Sequence, residues 1–367
     1  MLWKKRIIKS FYEKISEMIK LINIICYIRK RMTKIDKKDL KIIYHLLHNS
    51  RQPLSILGKK VGVSRKVVEY RINRLEKQGI ITGYPTSIQN GLLGLGLVRF
   101  YYNFQFVSPE KKQEIIEYFI NSDIVTLVSE LEGSYDLQIN VYVHTLKNLE
   151  YSLKYQNLFL KFASFYDQTQ KKYRKYFDEQ IMTVFQKSTF FDPVFLLGDK
   201  NFTPSSIPIP PPSFKEVLID KLDFEILRKL AVNARIPTVK LAKDLNVTTA
   251  TVISRIKRLI DEKVVINFGV SIDLRKIGYR IYNIEINLKD YDKKYEIIDY
   301  IQNNKNISEI EETFGRGVDL EFEFALKDET ELQYIINDLS QKFPETIKNF
   351  RYYHHEKIHK YNHIPFK

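Results

Sequence analysis

The sequence is poor in the residues that support disulfide, redox and metal chemistry. Its 367 residues include one cysteine, Cys26, and one tryptophan. A single cysteine cannot form an internal disulfide, which is typical of proteins in a reducing cytoplasm. The sequence also lacks a metal-spaced cysteine set, a glycine-rich phosphate loop and a nucleophile–base motif. The common signatures of metal-, nucleotide- and nucleophile-dependent enzymes are therefore missing.

Long apolar runs are lacking as well. Residues 21–28 form an apolar run that is far too short to span a bilayer. A secretory signal is not indicated, because Glu13, Glu17 and Lys20 interrupt this region and no small-residue cleavage site follows. We therefore expect a cytoplasmic protein that does not contact the membrane.

Acidic residues are fewer than basic ones, and the excess of positive charge is unevenly placed. The chain has 59 Lys and Arg against 44 Asp and Glu, a net charge of +15. Residues 1–34 carry +8, residues 39–84 carry +6 and residues 223–268 carry +4, so the remainder is slightly acidic. A basic balance of this size indicates a polyanionic partner such as double-stranded DNA.

The basic amino-terminal segment, residues 1–34, has apolar residues at helical spacing from Ile7 to Ile25. Three interpretations stay open for it. In the first interpretation residues 1–31 are an upstream extension or a mobile arm, because the sequence from Met32 suits the start of a domain. An arm that binds DNA or a partner is the second interpretation, and a helix on a membrane surface is the third.

The most informative feature is an internal repeat with a spacing of 184 residues. Residues 39–81 and 223–265 share 14 identities in 43 positions without a gap, where chance gives about three. Each copy predicts two short helices, a tight turn at Gly62 or Asn246, and a third helix with Ser64 or Thr248 as its N-cap. This order, followed by a short extended pair, predicts a winged helix-turn-helix, whose last helix enters the major groove of DNA.

The first copy carries the pattern Asn-x-Arg-x-Pro from Asn49, followed by Val63-Ser64 and then Arg71-Ile-x-Arg-Leu-Glu-x-x-Gly-Ile-Ile. It resembles the amino-terminal half of the Lrp/AsnC (leucine-responsive regulator) family of transcription regulators. The second copy departs from the pattern where Ile260 and Lys263 replace the Glu and Gly. The resemblance implies two DNA-binding modules in one chain.

Each helix-turn-helix is followed by the same order of elements, strand, helix, two strands, helix and strand. This order predicts an antiparallel ferredoxin-like sheet with both helices on one face. It is similar to the ligand-sensing and dimerisation domain of the same family. The expected fold class is therefore α+β, with two winged helix-turn-helix domains alternating with two ferredoxin-like domains.

Six of the twelve prolines lie between Pro193 and Pro212, which predicts a semi-rigid linker between the halves. Part of it is expected to pack back on a domain, because Phe190, Phe191, Phe195 and Leu196 are apolar. The predicted boundaries are 1–34 for the extension, 35–90 and 220–276 for the helix-turn-helix domains, 91–184 and 277–367 for the ferredoxin-like domains, and 185–219 for the linker.

The candidate DNA contacts lie on the two predicted recognition helices. Arginine pairs bidentately with guanine, asparagine pairs with adenine, and lysine and hydroxyl side chains contact phosphates. For the arginines that occur in both copies, intradomain salt bridges are the alternative. The second helix lacks an arginine at its start, so weaker DNA binding or a role as a pseudo-subunit is open. The candidates are Arg65, Lys66, Tyr70, Arg71, Asn73, Arg74, Thr249, Ser254, Arg255, Lys257 and Arg258.

The family resemblance places an effector site at the turn between the second and third strands of each sensing domain. A carboxylate beside a glycine turn can bind the ammonium group of an amino-acid effector, but an ordinary turn with a capping aspartate is the alternative. The second turn, which includes Gly317, is one residue longer than the first and has no tyrosine. The candidates are Gly133, Tyr135, Asp136, Gly315 and Asp319.

A histidine cluster near the carboxyl end would bind a metal only if that segment were a helix, which would stack His355, His359 and His363 on one face. The composition around it favours a strand instead, so we expect neither a metal nor another cofactor.

The sequence as a whole predicts a tandem-duplicated DNA-binding transcription regulator, which is not an enzyme and acts as an intramolecular pseudo-dimer. An amino acid is its possible effector, and further homo-oligomerisation is possible. Two alternatives stay open. One is an enzyme similar to the siroheme decarboxylases, which resemble this family, with His354 and His355 as candidate residues. The other is an architectural DNA-binding protein of low specificity.

Overall fold

The computed structural model of the chain describes residues 35–144, 149–198, 204–209, 217–315 and 318–362. The basic segment 1–34 lies outside the described residues. No helix within the described part is both long enough and apolar enough to cross a membrane.

The first half begins with a helix-turn-helix and continues into a four-stranded unit. Ser64 caps the third helix by accepting a hydrogen bond from the Val67 amide at 3.3 Å. Gly62 takes a left-handed conformation, with φ of 72°, in the turn before it. The elements are α1 (Lys37–His48), α2 (Leu54–Val61), α3 (Arg65–Lys77), β1 (Ile81–Gly83), β2 (Thr86–Ile88), β3 (Leu95–Phe104), α4 (Pro109–Asn121), β4 (Val125–Gly133), β5 (Leu137–His144), α5 (Leu149–Tyr173) and β6 (Phe177–Phe191).

The segment between the halves belongs partly to the fold. Strand β6 runs to Phe191, past the predicted boundary at residue 184, because it continues to pair with a strand of the second half. A short 3₁₀ turn, Val194–Leu197, then buries Phe195 and Leu196 against the first helix-turn-helix. Strand β7 (Ser206–Ile209) returns along β6. The expectation that part of the linker packs back is met at these residues, whereas Phe190 stays exposed.

The second half repeats the first. Asn246, with φ of 54°, takes the left-handed conformation that Gly62 has in the first copy, and Thr248 caps the third helix through the Thr251 amide at 3.1 Å. The elements are α6 (Lys221–Val232), α7 (Thr238–Asp244), α8 (Thr249–Asp261), β8 (Val265–Phe268), β9 (Ser271–Ile272), β10 (Arg280–Leu288), α9 (Lys294–Ile301), β11 (Ile307–Gly315), β12 (Leu320–Leu326), α10 (Glu329–Lys342) and β13 (Ile347–Tyr361).

The two four-stranded sheets join at both edges and close into one antiparallel barrel. Within the halves the strand orders are β4-β5-β3-β6 and β11-β12-β10-β13, which is the ferredoxin-like order in each. Between the halves β13 pairs with β4, and β11 pairs with β6. The ring therefore has eight strands and leaves neither half with an unpaired sheet edge there. The predicted fold class is confirmed, and one chain forms the pseudo-dimer.

Alternation along the strands separates two environments. Outward-facing residues such as Phe100, Tyr102 and Ile139 pack under helices α4 and α5, and Ile284, Phe322 and others pack under α9 and α10. The residues between them point into the barrel and are mostly polar, for example Arg99, Glu311 and Glu321. Each half thus buries its main apolar core against its own helices. Inside the barrel the halves meet through polar side chains and through one cluster formed by Tyr101, Leu131, Tyr135, Ile181 and Tyr353.

Candidate nucleic-acid interface

Helix α3 exposes the face that the sequence predicts to contact DNA. Val68, Ile72 and Leu75 are buried against the other two helices. Gly58 of α2 allows close packing before it, since a Cβ there would lie 2.6 Å from the Val63 carbonyl oxygen. On the opposite face Arg65, Lys66, Tyr70 and Asn73 are exposed, with Tyr70 at 67% of its possible surface. These side chains are therefore free to enter a groove.

Arg71 and Arg74 point the other way and bind the start of α1. Arg71 Nη1 lies 2.7 Å from Asp36 Oδ2 and 2.9 Å from Asp39 Oδ1, and Arg74 also pairs with Asp39. Asp39 has no exposed surface, so both arginines neutralise a buried carboxylate. Burial alone would raise the pKa of Asp36, but the Arg71 guanidinium and backbone amides outweigh it and lower that pKa.

The second copy repeats this arrangement. Arg255 Nη1 lies 2.6 Å from Asp220 Oδ2 and 3.1 Å from Asp223 Oδ2, and Arg258 pairs with Asp223. The Asp223 amide and the Arg255 guanidinium lower the pKa of Asp220. The four candidate arginines, Arg71, Arg74, Arg255 and Arg258, therefore form the intradomain salt bridges that the sequence leaves open as the alternative to phosphate contact.

Helix α8 offers a different surface from α3. Ser254 and Lys257 are exposed, Thr249 is half-buried, and Ile253 is 53% exposed. The face carries one cation, Lys257, where α3 carries Arg65, Lys66 and Lys77. The two recognition helices are thus similar in backbone and unlike in chemistry.

The two helix-turn-helix domains are fastened directly to one another. Strand β1 pairs with β9 and β2 pairs with β8, so each wing is completed by a strand of the other half. The buried Thr86 hydroxyl donates to the Leu230 carbonyl at 2.7 Å. The domains are held in one orientation by main-chain pairing and not by the barrel alone.

Arg51 and Arg235, equivalent residues of the two copies, complete this junction. Arg51 Nη1 donates to the Ala234 carbonyl at 2.5 Å and to the Ile236 carbonyl at 3.0 Å. Arg235 Nη1 donates to the Tyr84 hydroxyl at 3.1 Å and lies over its ring. Sequence reasoning missed this role, although the identity of the two arginines in both copies was a signal.

The predicted effector turns use their carboxylates internally. Asp136 Oδ2 accepts the Phe104 amide at 2.7 Å, and Asp319 Oδ2 accepts the Leu288 amide at 2.8 Å. Tyr135 is buried, and its hydroxyl donates to Glu285 at 2.5 Å. Each aspartate thus connects its turn to the end of the first strand of its own sheet, β3 or β10, and does not cap its own turn. Gly317 lies outside the described residues.

Gly133 and Gly315 mark the two seams between the halves. Their φ angles are 122° and 151°, and a Cβ would lie 2.5 Å from the Tyr352 carbonyl oxygen at Gly133 and 2.5 Å from the Met182 carbonyl oxygen at Gly315. Both positions therefore need glycine so that the backbone of the other half can approach closely. This packing accounts for the two glycines without a bound effector.

The histidines of β13 lie on a strand, so the helical stack is not formed. His355 points inward and its Nδ1 lies 2.8 Å from Ser129 Oγ, and burial lowers its pKa to about 4. His359 Nε2 lies 2.7 Å from Glu130 Oε1, and His363 lies outside the described residues. Among the residues that the structure describes, Glu132, His354 and Glu356 place ligand atoms within 4.8 Å of one another.

Comparison with known proteins adds the following similarities. A family model described as the AsnC-type helix-turn-helix domain matches residues 219–260, and one for winged helix-turn-helix DNA binding matches residues 35–82. The HTH-type transcriptional regulator Ptr1 of Methanocaldococcus jannaschii is 31% identical over 116 residues, which are 32% of this chain and 75% of the relative. The HTH-type transcriptional regulator LysM of Sulfurisphaera tokodaii is 31% identical over 108 residues, or 29% of this chain and 73% of the relative.

Nearly the whole chain is also matched by solved structures of one protein. The siroheme decarboxylase NirDL superposes with a TM-score of 0.56 and covers 90% of this chain and 94% of that chain. The two are 14% identical, so this similarity shows a shared fold alone.

Proposed function

Because the chain belongs to the Lrp/AsnC family of transcription regulators, we propose that it is a sequence-specific DNA-binding regulator in which one chain supplies both halves of the usual dimer. The observation that carries this proposal is the exposed face of α3, where Arg65, Lys66, Tyr70 and Asn73 project away from the domain. Such a protein acts in the cytoplasm, as its single cysteine also suggests.

The two recognition helices address unlike half-sites. The first helix presents an arginine, a lysine and an asparagine for base and phosphate contacts. The second presents Thr249, Ser254 and Lys257 beside the apolar Ile253, which suits thymine methyl groups and fewer phosphates. Because β1, β2, β8 and β9 fix the domains to one another, the spacing of the half-sites is also fixed.

The proposal extends to an amino-acid effector and to the association of two or more chains. An amino acid bound at the Asp136 and Asp319 turns would need to replace the backbone amides that those carboxylates now accept. An effector site elsewhere in the barrel requires no such exchange. Association of two or more chains is compatible with a pseudo-dimer, because the barrel closure uses only the edges within one chain.

The enzyme alternative is favoured by the similarity to the siroheme decarboxylase fold. We propose that this chain is not such an enzyme, because a macrocycle that carries many carboxylates needs cations to receive it. Arg99, which faces the inward glutamates of the second half, is already paired with Glu311 and Glu321. A titration with a tetrapyrrole, followed by absorbance, tests this directly. Saturable spectral change at equimolar protein would revive the enzyme interpretation.

DNA binding is tested by fluorescence anisotropy with a labelled mixed-sequence duplex over a range of salt concentrations. The double variant Arg65→Ala/Lys66→Ala should bind more weakly and reduce the salt dependence by about two counterions, because two cations that face the DNA are lost. Lys305→Ala, an exposed lysine on the barrel, is the matched control and should bind like the original chain. An equal effect of both changes, or no DNA binding at all, would overturn the proposal.

A further inference from the structure

A cavity of about 520 Å³ lies between the barrel and the helix-turn-helix domains. Its walls include Arg99, Glu309, Glu311 and Glu323 of the barrel strands. They also include His48 of α1 and Asn267 of β8, so the cavity adjoins both helix-turn-helix domains. A volume of this size is typical of pockets for small organic ligands and is much larger than a single metal ion requires.

The barrel interior is acidic on one side only. Five inward-facing glutamates all belong to the second half, and they are Glu285, Glu309, Glu311, Glu321 and Glu323. The strand pairing of the first half places uncharged residues at the equivalent positions, and these are Tyr101, Leu127, Ser129, Gln138 and Asn140. The halves have thus diverged inside the barrel as well as on the recognition helices.

The acidic wall has too few cations of its own. Arg99 Nη2 lies 2.6 Å from Glu311 Oε1, and Arg99 Nη1 lies 3.2 Å from Glu321 Oε2. One arginine therefore serves two carboxylates. Glu309 accepts a hydrogen bond from the Ser188 hydroxyl and is hydrogen-bonded to the neighbouring Glu311 carboxyl. Within the described ranges no group donates a hydrogen bond to Glu323.

Glu309 and Glu323 are largely buried, and both line the cavity. Burial and the neighbouring Glu311 raise the pKa of Glu309 well above its ordinary value, and they raise the pKa of Glu323 to about 7. Among the described residues neither carboxyl forms an ion pair, and the cavity that they line has room for a cation. Buried acids of this kind are stabilised in their charged form by a bound cation.

The remaining lining defines the kind of cation. Leu97, Phe190 and Ile281 line the same cavity and offer apolar contact to a hydrocarbon chain. A ligand carboxylate would meet the acidic wall without a free arginine to receive it, since Arg99 is already paired. The combination favours a flexible chain of methylene groups with ammonium groups and no acid.

We propose that this cavity binds a small aliphatic diamine or polyamine, whose ammonium groups pair with Glu309 and Glu323. Because its walls come from the barrel and from both helix-turn-helix domains, the bound amine contacts all three and stabilises the folded chain. This inference goes beyond DNA recognition and does not depend on it.

The test is isothermal titration of the full chain with 1,5-diaminopentane and with spermidine, with thermal unfolding as a second readout. Lysine is the matched ligand, because it equals 1,5-diaminopentane with an added carboxylate. We expect saturable binding of at least one amine, binding of lysine weaker by about tenfold or more, and a higher unfolding temperature with the amine.

The protein variants separate the cavity from general charge. Glu309→Gln/Glu323→Gln keeps the side-chain shape and relieves repulsion, so it should fold and lose amine affinity by about tenfold or more. Glu345→Gln makes the same change on an exposed turn and should bind like the original chain. No saturable amine binding, unchanged binding by the double variant, or equal affinity for lysine or for Mg²⁺ alone would overturn the proposal.

Discussion

The Tyr135 hydroxyl of the first half donates a 2.5 Å hydrogen bond to the Glu285 carboxylate of the second half, in the buried centre of the barrel. Arg351 of the second half donates to the same hydroxyl at 3.1 Å. Tyr135 also stacks on Tyr101, with ring centroids 4.6 Å apart. The two halves are therefore connected by a polar network that closes only when both have folded.

Changing Glu285 to Gln should flatten the pH dependence of stability. Burial and the nearby Glu321 raise the pKa of Glu285 to about 8 from an ordinary value of 4.5. A carboxyl whose pKa is higher in the folded state than in the unfolded state stabilises the fold fully at pH values below its unfolded-state pKa. This stabilisation is lost as the pH rises through the folded-state pKa. The free energy of unfolding should thus fall with rising pH in this window by up to about 1.4 kcal/mol per pH unit from this group.

Denaturant unfolding between pH 5 and pH 9 measures this slope. The Gln variant should show a smaller decrease, because its amide can still accept from Tyr135 and does not ionise. Part of the slope should persist, since Glu309 and Glu323 also have raised pKa values. An unchanged slope in the variant would contradict the assignment of Glu285.

Asp39→Asn should destabilise the first helix-turn-helix by about 3 kcal/mol, because it removes a buried charge that two arginines neutralise. Asp223→Asn should have a similar effect on the second copy. Asp178→Asn, at an exposed position of β6, is the control and should leave stability nearly unchanged. Chemical denaturation measures all three, and a loss no larger than that of the control would show that these ion pairs do not support the fold.

Arg51→Ala should loosen the junction between the helix-turn-helix domains. Its guanidinium bonds two carbonyls of the other domain, and hydrogen bonds from a charged donor contribute about 1.5–3 kcal/mol. Hydrogen exchange should then quicken at the β2–β8 pairing. Arg228→Ala removes an arginine that pairs only with Glu225 on its own helix, so faster exchange in that variant too would argue against a specific role for Arg51.

Arg65→Ala should weaken binding to a preferred DNA site by about 1–3 kcal/mol and relax the preference at one base pair, if the arginine contacts a base. Arg71→Ala should instead lower the stability of the domain, since Arg71 binds Asp36 and Asp39. Anisotropy with single-base variants of the site shows whether a substitution changes the base preference, as expected for Arg65→Ala and not for Arg71→Ala. A uniform loss for Arg65→Ala on every sequence would mean that it contacts phosphate alone.

Local features of the fold were predictable because their causes are local. The 184-residue repeat, the caps Ser64 and Thr248 and the left-handed turns at Gly62 and Asn246 are all visible in the residues themselves. The end of helix α5, at Tyr173, is harder to derive from the sequence. The aromatic residues Phe162, Phe165 and Tyr173 continue its contact with the sheet, which a boundary drawn from composition misses.

The closure of the barrel and its acidic interior were not predicted. Pairing of β13 with β4 joins residues more than two hundred positions apart, and nothing local specifies it. Glu309 with Glu311, and Glu321 with Glu323, do alternate with apolar residues in the sequence. Such alternation is typical of a strand with one acidic face, but whether that face is buried depends on the other half of the barrel.

The central claim is that one chain reads two unlike half-sites, and selection of bound DNA from a random pool at physiological salt tests it most directly. We predict a two-part asymmetric motif with fixed spacing, in which Arg65→Ala alters one part and Lys257→Ala alters the other. Recovery of a perfect palindrome bound by two chains, or of no motif despite binding, would contradict the claim.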